Sequence, residues 1–550
     1  MFEIKNNLYT TSQHTELPFP HILLITASAG SGKTHTLTRR YVQFLLSENI
    51  PNNHLRNIVA ITFTNNAATE MKQRVLELLK KISLHDEKLV EWRLAAPSDA
   101  TGISKDGASA PQKKSAVLLQ EIFDNYSDFQ IKTIDSFMTT IFKSSSLEFG
   151  YTPDFTVLLS ADALLDEAFE KFAREAMQNT QLRQLLDGIV RIIAENSTDK
   201  EKYLWDPYTL IRKEVKNLYK TLAHYAAPLN DEDVASILEE TRKELRTHAA
   251  SFKKYLESTS LPLSKIFQND LDDVVNGNIM AIMERTTKEK IVNKPKKSEE
   301  GIAAQHQQRI DEGLQRFYYL LSEYALTYSK NYYRPYVKTS VHLRAKLDEI
   351  QRQRGEVVID VVNKELASYL RKEVVPEVYV KLGDTLFHFF VDEFQDTNPM
   401  QWKNLFPLIE NALSSSGSLF VVGDMKQSIY GFRGADWQIM KNLKKENPFP
   451  SAQLLVDELP TNYRSHEKIV QFNREVFSHK VAEQNLQHAA EESELYNFTQ
   501  EVKEEFCGKG YVEVSVVEQA EEPQEREKII EIIRNCTARG YSLGDICILT

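Results

Sequence analysis

Short apolar runs alternate with amphipathic stretches at the front of this chain. Runs at 22–25, 58–63 and 129–134 are short and β-like, the first two wholly or mostly apolar, and read as strands. The stretch 37–46 has helical spacing, so strand and helix alternate as in a parallel α/β sheet. Within this region, 95–114 is rich in Ala, Ser and Gly and reads as a flexible surface insertion. From 145 to 375 long helical patterns replace the strands, with heptad-like spacing around 164–193 and 314–328. Tyr318, Tyr319, Tyr324, Tyr328, Tyr332 and Tyr333 lie there. They form the core of a helical insert or, in the other reading, stack on single-stranded bases. Strand-like runs return at 389–392 and 419–424, so the first fold is interrupted and then resumes. A last α/β region begins near 454 and holds two further strand candidates, 511–517 and 546–549. The expected segments are 1–144 and 376–453 for the split α/β domain, 145–375 for the helical insert, and 454–550 for the start of a second α/β domain.

Composition adds limits. A chain of 550 residues exceeds what one hydrophobic core serves, so roughly two to four domains are expected. No apolar run approaches the ~18 residues of a membrane span, and the N-terminus lacks the pattern of a secretory signal. Cys507, Cys536 and Cys547 match no metal spacing and read as buried free thiols of a reducing compartment, which places the protein in the cytoplasm. The net charge of -11 argues against a uniformly basic nucleic-acid binder, but local distribution decides that question. Acid gathers at 491–505 and 521–531. Lys288, Lys290, Lys294, Lys296 and Lys297 form a basic cluster that reads as a solvated loop.

The chemistry starts at Ala27-Ser28-Ala29-Gly30-Ser31-Gly32-Lys33-Thr34. Gly30 and Gly32 permit a tight turn whose N–H groups point at phosphate, and the following helix adds its positive end. Lys33 supplies charge to the β- and γ-phosphates of ATP, and Thr34 a hydroxyl for Mg²⁺. Ala27 replaces the glycine that usually opens such a loop. The second half of a nucleotide site is the run Phe389-Phe390-Val391-Asp392-Glu393. A strand tip would hold Asp392 against Mg²⁺ and leave Glu393 to deprotonate the attacking water.

Further runs narrow the reading: Ile61-Thr62-Phe63-Thr64-Asn65-Asn66-Ala67-Ala68, Thr133-Ile134-Asp135-Ser136-Phe137, Val422 to Gly434, and Thr461-Asn462-Tyr463-Arg464-Ser465. With Asp392-Glu393-Phe394-Gln395-Asp396-Thr397, this ordered set resembles the UvrD/Rep family of superfamily 1 DNA helicases. The spelling of the phosphate loop and the long helical insert look most like the AddA and RecB branch. The resemblance implies RecA-like motor domains and an ATP-dependent 3′ to 5′ translocase on single-stranded DNA, loading at duplex ends in double-strand break repair. It also implies a second subunit of a helicase–nuclease complex.

At matched positions it implies that Gln427 senses the γ-phosphate, Arg464 acts as an arginine finger, and Tyr463 stacks on adenine. It implies that Phe63, Asn65, Phe432 and Arg433 hold the DNA strand. For Phe63 a place in the core is the competing reading. Some positions depart from the family pattern. Asn66 stands in place of lysine, Asp135 in place of histidine and His35 in place of arginine; Gln13 is the one candidate for the adenine-reading glutamine. The family's later His-x-x-Lys-Gly and Thr-Arg-Ala runs are not found in these residues, nor is a nuclease segment. The expectation is an N-terminal portion of a longer protein that binds nucleotide and does not unwind DNA alone. A reading of another class is a nucleotide-binding scaffold subunit without motor activity.

Overall fold

A computed structural model describes residues 18–84, 110–158, 160–196, 207–223, 234–259, 261, 264–283, 300–372, 375–383, 385–479, 484–498, 500–516 and 525–549. Gln13, the basic cluster 288–297 and most of 95–114 lie outside them. The chain divides into two compact units, one of 1–132, 387–397 and 412–550, the other of 133–386 and 398–411.

The strands, in chain order, are β1 (His21–Ala27), β2 (Ile58–Thr62), β3 (Ile131–Thr133), β4 (Thr156–Leu158), β5 (Glu356–Val358), β6 (His388–Val391), β7 (Ser418–Gly423), β8 (Gln453–Leu459), β9 (Thr461–Asn462) and β10 (Glu501–Val502). The first unit is built on a six-stranded sheet of order β3-β2-β6-β7-β1-β8. Pairings of β1 with β7 and β8, and of β6 with β2 and β7, are all parallel. Parallel strands are covered on both faces, so they read as unbroken apolar runs. Accordingly β2, β6 and β7 are buried at every position. Leu37, Tyr41, Phe44 and Leu45 of the helix Lys33–Leu46 pack onto this sheet with Met71, Val75 and Leu79 of the helix Asn65–Ser83.

The first five strand expectations are present as β1, β2, β3, β6 and β7. The third is shorter than expected, because Thr133 caps a helix, Ile134–Ser144, by accepting from Ser136 N–H. Residues 110–114, expected in a loop, open the helix Ala110–Asp124. Two further expectations need correction. β8 does not start a new sheet at 454: it pairs with β1 along its whole length. Residues 511–516 and 546–549 form no strand. Val514, Val516 and Leu549 are largely exposed, and an apolar run becomes a strand only when a neighbour accepts its backbone bonds.

The second unit is mainly helical and wider in sequence than the expected 145–375. Among the described residues it holds two separate apolar clusters. One joins Leu164, Leu165, Phe169 and Phe172 to Leu343 and Leu347. The other joins Leu245, Phe252 and Phe267 to Phe317, Leu320 and Tyr324. The tyrosines divide: Tyr324 is buried in this second core, whereas Tyr319 and Tyr333 are exposed. Asp135, at the start of the helix Ile134–Ser144, accepts from Gln401 Nε2 at 3.0 Å.

Burial in the sheet unit has a titratable member. His388 is fully buried, with Nε2 2.7 Å from the Pro51 carbonyl and Nδ1 2.9 Å from Ser418 Oγ. A carbonyl only accepts, so Nε2 carries the proton and neutral Nδ1 accepts from the hydroxyl. Burial, the larger cause, pushes the imidazole down from 6.5 to about 4 despite the Pro51 bond. The unfolded chain therefore takes up a proton that the fold refuses. This stability is present above pH 6.5 and lost as pH falls towards 4. Urea unfolding of wild type and His388→Gln should show their difference shrinking by about 2 kcal/mol between pH 7 and pH 5. Parallel curves would reject this account.

Candidate functional site

The loop after β1, the loop after β6 and the loop after β7 lie at the carboxyl ends of their strands, where open parallel sheets bind ligands. Gly30 and Gly32 have φ of 81° and 86°, in the left-handed region that a side chain disfavours. A Cβ on Gly30 would also come within 2.9 Å of Arg464 Cβ and of Asn462 Oδ1, so two constraints require glycine here. Ala27 ends β1 and is buried; Ser28 takes the Ser31 hydroxyl bond on its carbonyl at 2.7 Å. Ala29 is exposed but its carbonyl is engaged by side chains of 462 and 500.

Lys33 is nearly buried and donates to Glu393 Oε2 at 3.0 Å and to Gln427 Oε1 at 2.8 Å. Thr34 Oγ1 donates to Asp392 Oδ2 at 3.4 Å. Three motifs far apart in sequence therefore meet at one ammonium group and one hydroxyl. Burial first, and then the neighbouring Glu393, push Asp392 up to about 6, against the opposing pull of Lys33. Asp396 rises to about 6 for the same two reasons. Glu393 has φ 49°, a strained value for a side-chain-bearing residue. Its conformation is held because its carbonyl accepts from Asp396 N–H and its carboxylate from Gln395 Nε2 at 2.8 Å.

Tyr463 N–H donates to the Gly30 carbonyl at 2.8 Å, and its ring edge lies 4.0 Å from where a Gly32 Cβ would be. Arg464 is exposed beside the same loop. A second cluster lies beyond β2 and β7. The half-buried Phe63 ring is 4.8 Å from Tyr430, Tyr430 is 5.9 Å from Phe432, and Arg433 lies over both Tyr430 and Phe432 at 5.6 and 5.7 Å. Phe432 is 77% exposed and so is no core residue. Asn65 is exposed at the start of its helix.

Several members of these sites carried no assigned role in the sequence. Gln395 bridges Glu393 to the Asp424 N–H, which it accepts at 2.9 Å, and Asp424 Oδ2 accepts from Gln427 Nε2 at 2.8 Å. Gln395, Asp424 and Tyr430 stood inside quoted motifs. Asn462 stood in one too, whereas Gln500 lies outside every motif.

A parallel sheet with helices packed on it, whose glycine-rich turn faces a two-acid strand tip, defines an α/β protein. Within that class, the chain belongs to the UvrD/REP helicase N-terminal domain family, which matches residues 10–448. It is similar to an ATP-dependent helicase/nuclease subunit of Staphylococcus haemolyticus (strain JCSC1435), with 27% identity over 84% of this chain and 38% of the relative. The corresponding protein from Oceanobacillus iheyensis is 26% identical over 85% and 39%. That of Clostridium beijerinckii is 23% identical over 93% and 43%. The chain thus spans about two-fifths of the length of these relatives.

Proposed function

We propose that this chain carries the RecA-like ATP site and single-stranded DNA face of an ATP-dependent 3′ to 5′ DNA helicase that works with a second subunit in cytoplasmic break repair. The observation that carries it is the convergence of Glu393 Oε2 and Gln427 Oε1 on Lys33 Nζ, at 3.0 and 2.8 Å. Lys33 is then poised to exchange these partners for a γ-phosphate, and Gln427 is released to report the exchange. Thr34 Oγ1 and Asp392 Oδ2 are hard oxygens close enough to hold one small cation, as Mg²⁺ requires. Bound there, Mg²⁺ would neutralise developing charge on the phosphates. Glu393 would accept the proton of the attacking water, and Arg464 would reach the transferring group.

The cluster of Phe63, Tyr430, Phe432 and Arg433 suits single-stranded DNA, because every base has a face to stack. ATP turnover should rise when single-stranded DNA is added, and Phe432→Ala should weaken binding of that strand by about tenfold. A fluorescence anisotropy titration checks the second statement. Turnover indifferent to DNA would favour a nucleotide-binding scaffold subunit instead.

A further inference from the structure

The glycine-rich loop is held through its carbonyl groups as well as shaped by its glycines. Two of its carbonyl groups face the segment of β9. Gly30 O accepts from Tyr463 N–H at 2.8 Å. Ala29 O accepts from Gln500 Nε2 at 2.8 Å and from Asn462 Nδ2 at 3.2 Å. Asn462 Nδ2 also donates to Gln500 Oε1 at 2.9 Å, and both side chains belong to residues only 4% exposed. Asn462 Oδ1 then accepts the N–H groups of Arg464 and Ser465, each at 2.8 Å. An unbroken hydrogen-bond chain runs from the loop through Gln500 and Asn462 to the backbone of Arg464.

Gln500 is itself well anchored. Its carbonyl accepts from Arg474 Nη2 at 2.7 Å, and Glu501 N–H donates to Pro460 O at 2.8 Å. The parallel pairing of β10 with β9 fixes its distance from Asn462. A trans peptide points its C=O and N–H in opposite directions. Holding the Ala29 carbonyl therefore also sets the direction of the Gly30 N–H, a member of the loop whose N–H groups cradle phosphate.

We propose that Gln500 is a positioning residue of the nucleotide site. It sets the 29–30 peptide of the phosphate loop and ties that loop to the segment carrying Tyr463 and Arg464. This rests on the reading of the loop as an ATP site. The position requires one donor for Ala29 O and one acceptor for Asn462 Nδ2 on a single side-chain end, and a primary amide provides both. A carboxylate provides only acceptors and would repel the Ala29 carbonyl. A protonated carboxyl group again provides a donor and an acceptor. Leucine, of similar size, provides neither.

This chemistry gives a test that a purely space-filling role would not pass. Steady-state ATP turnover is measured for wild type, Gln500→Leu, Gln500→Glu and Lys33→Ala across pH 5.5–8.5, with melting temperatures alongside. Gln500→Leu should lower kcat by about tenfold with little change in KM, because misplacing a reacting group costs rate more than binding. At pH 8.5 Gln500→Glu should be as slow as Gln500→Leu. Its kcat relative to wild type should climb by about tenfold towards pH 5.5, as the introduced carboxyl regains its proton. Arg474, Glu458 and Glu501 face this position and set where in the range the climb falls.

A ratio that stays flat across the range overturns the proposal, and so does a Gln500→Leu protein with wild-type kcat. A Gln500→Glu protein that fails to fold overturns it too, since the position would then serve stability alone. Lys33→Ala separates the two readings. If it still turns over ATP, the nucleotide-site reading falls whatever Gln500 does. If it is dead while both Gln500 variants behave as wild type, only the positioning role falls.

Discussion

Replacing Glu393 by glutamine should leave ATP binding in place and slow turnover by about a hundredfold or more, the contribution of a positioned general base. The substitution is nearly isosteric, and glutamine tolerates the φ of 49° no worse than glutamate. It removes the carboxylate that accepts from Lys33 Nζ and Gln395 Nε2 and that would take the proton of water. Equilibrium binding of a fluorescent ATP analogue, paired with phosphate release under saturating ATP, measures the two effects separately. Wild-type turnover would show that Glu393 is not the base. Lys33→Ala should behave differently, losing affinity and turnover together, because its ammonium group would meet the phosphates in the ground state as well as the transition state.

Arg464→Ala should slow turnover by about a thousandfold at saturating ATP, the scale of an arginine supplied to a transferring phosphoryl group. The Arg464 backbone is fixed by Asn462 Oδ1 and its Cβ lies beside Gly30, so its side chain starts next to the glycine-rich loop. Lysine should not rescue it, because one ammonium group does not reproduce the forked contact with phosphate oxygens. Single-turnover hydrolysis with enzyme in excess isolates this step from product release. If Arg464→Ala hydrolyses ATP at the wild-type rate, the finger is elsewhere and Tyr463-Arg464 serves the loop only as a wall.

The local grammar of the first unit was legible in the residues alone. A continuous apolar run before Ala27, glycines at 30 and 32, and an apolar run ending in Asp392-Glu393 together pointed to the two halves of a nucleotide site. Strand positions β1, β2, β6 and β7 followed from that grammar, because parallel strands buried on both faces leave a continuous signal. The expected strands at 511–517 and 546–549 had the same kind of signal and yet residues 511–516 and 546–549 are unpaired. An apolar run records that a segment suits burial. It does not record whether a partner strand is there to bury it.

β8 makes the same point in the other direction. Its run looked like the opening of a new domain, and its register against β1 from His21–Gln453 to Ala27–Leu459 makes it part of the first sheet. Pairing over such a sequence distance depends on how the chain folds back, which no local window contains. Among the site residues, Phe63 could have been core or contact, and its ring ends half-buried against Tyr430.

By itself the sequence determined which groups are available: a glycine turn that frees backbone N–H groups, a lysine and a threonine at a helix start, two acids at a strand tip, and aromatic and arginine side chains in polar turns. These follow from residue chemistry and short spacings. Only the tertiary structure decided how they combine. It brought Lys33 to Glu393 and Gln427, residues 360 and 394 positions away, and it set Gln500 behind a loop 471 positions earlier. The physical reason is that hydrogen bonds act over about 3 Å in space whatever the separation along the chain. The parallel order of the strands is what brings those separations down to bonding distance.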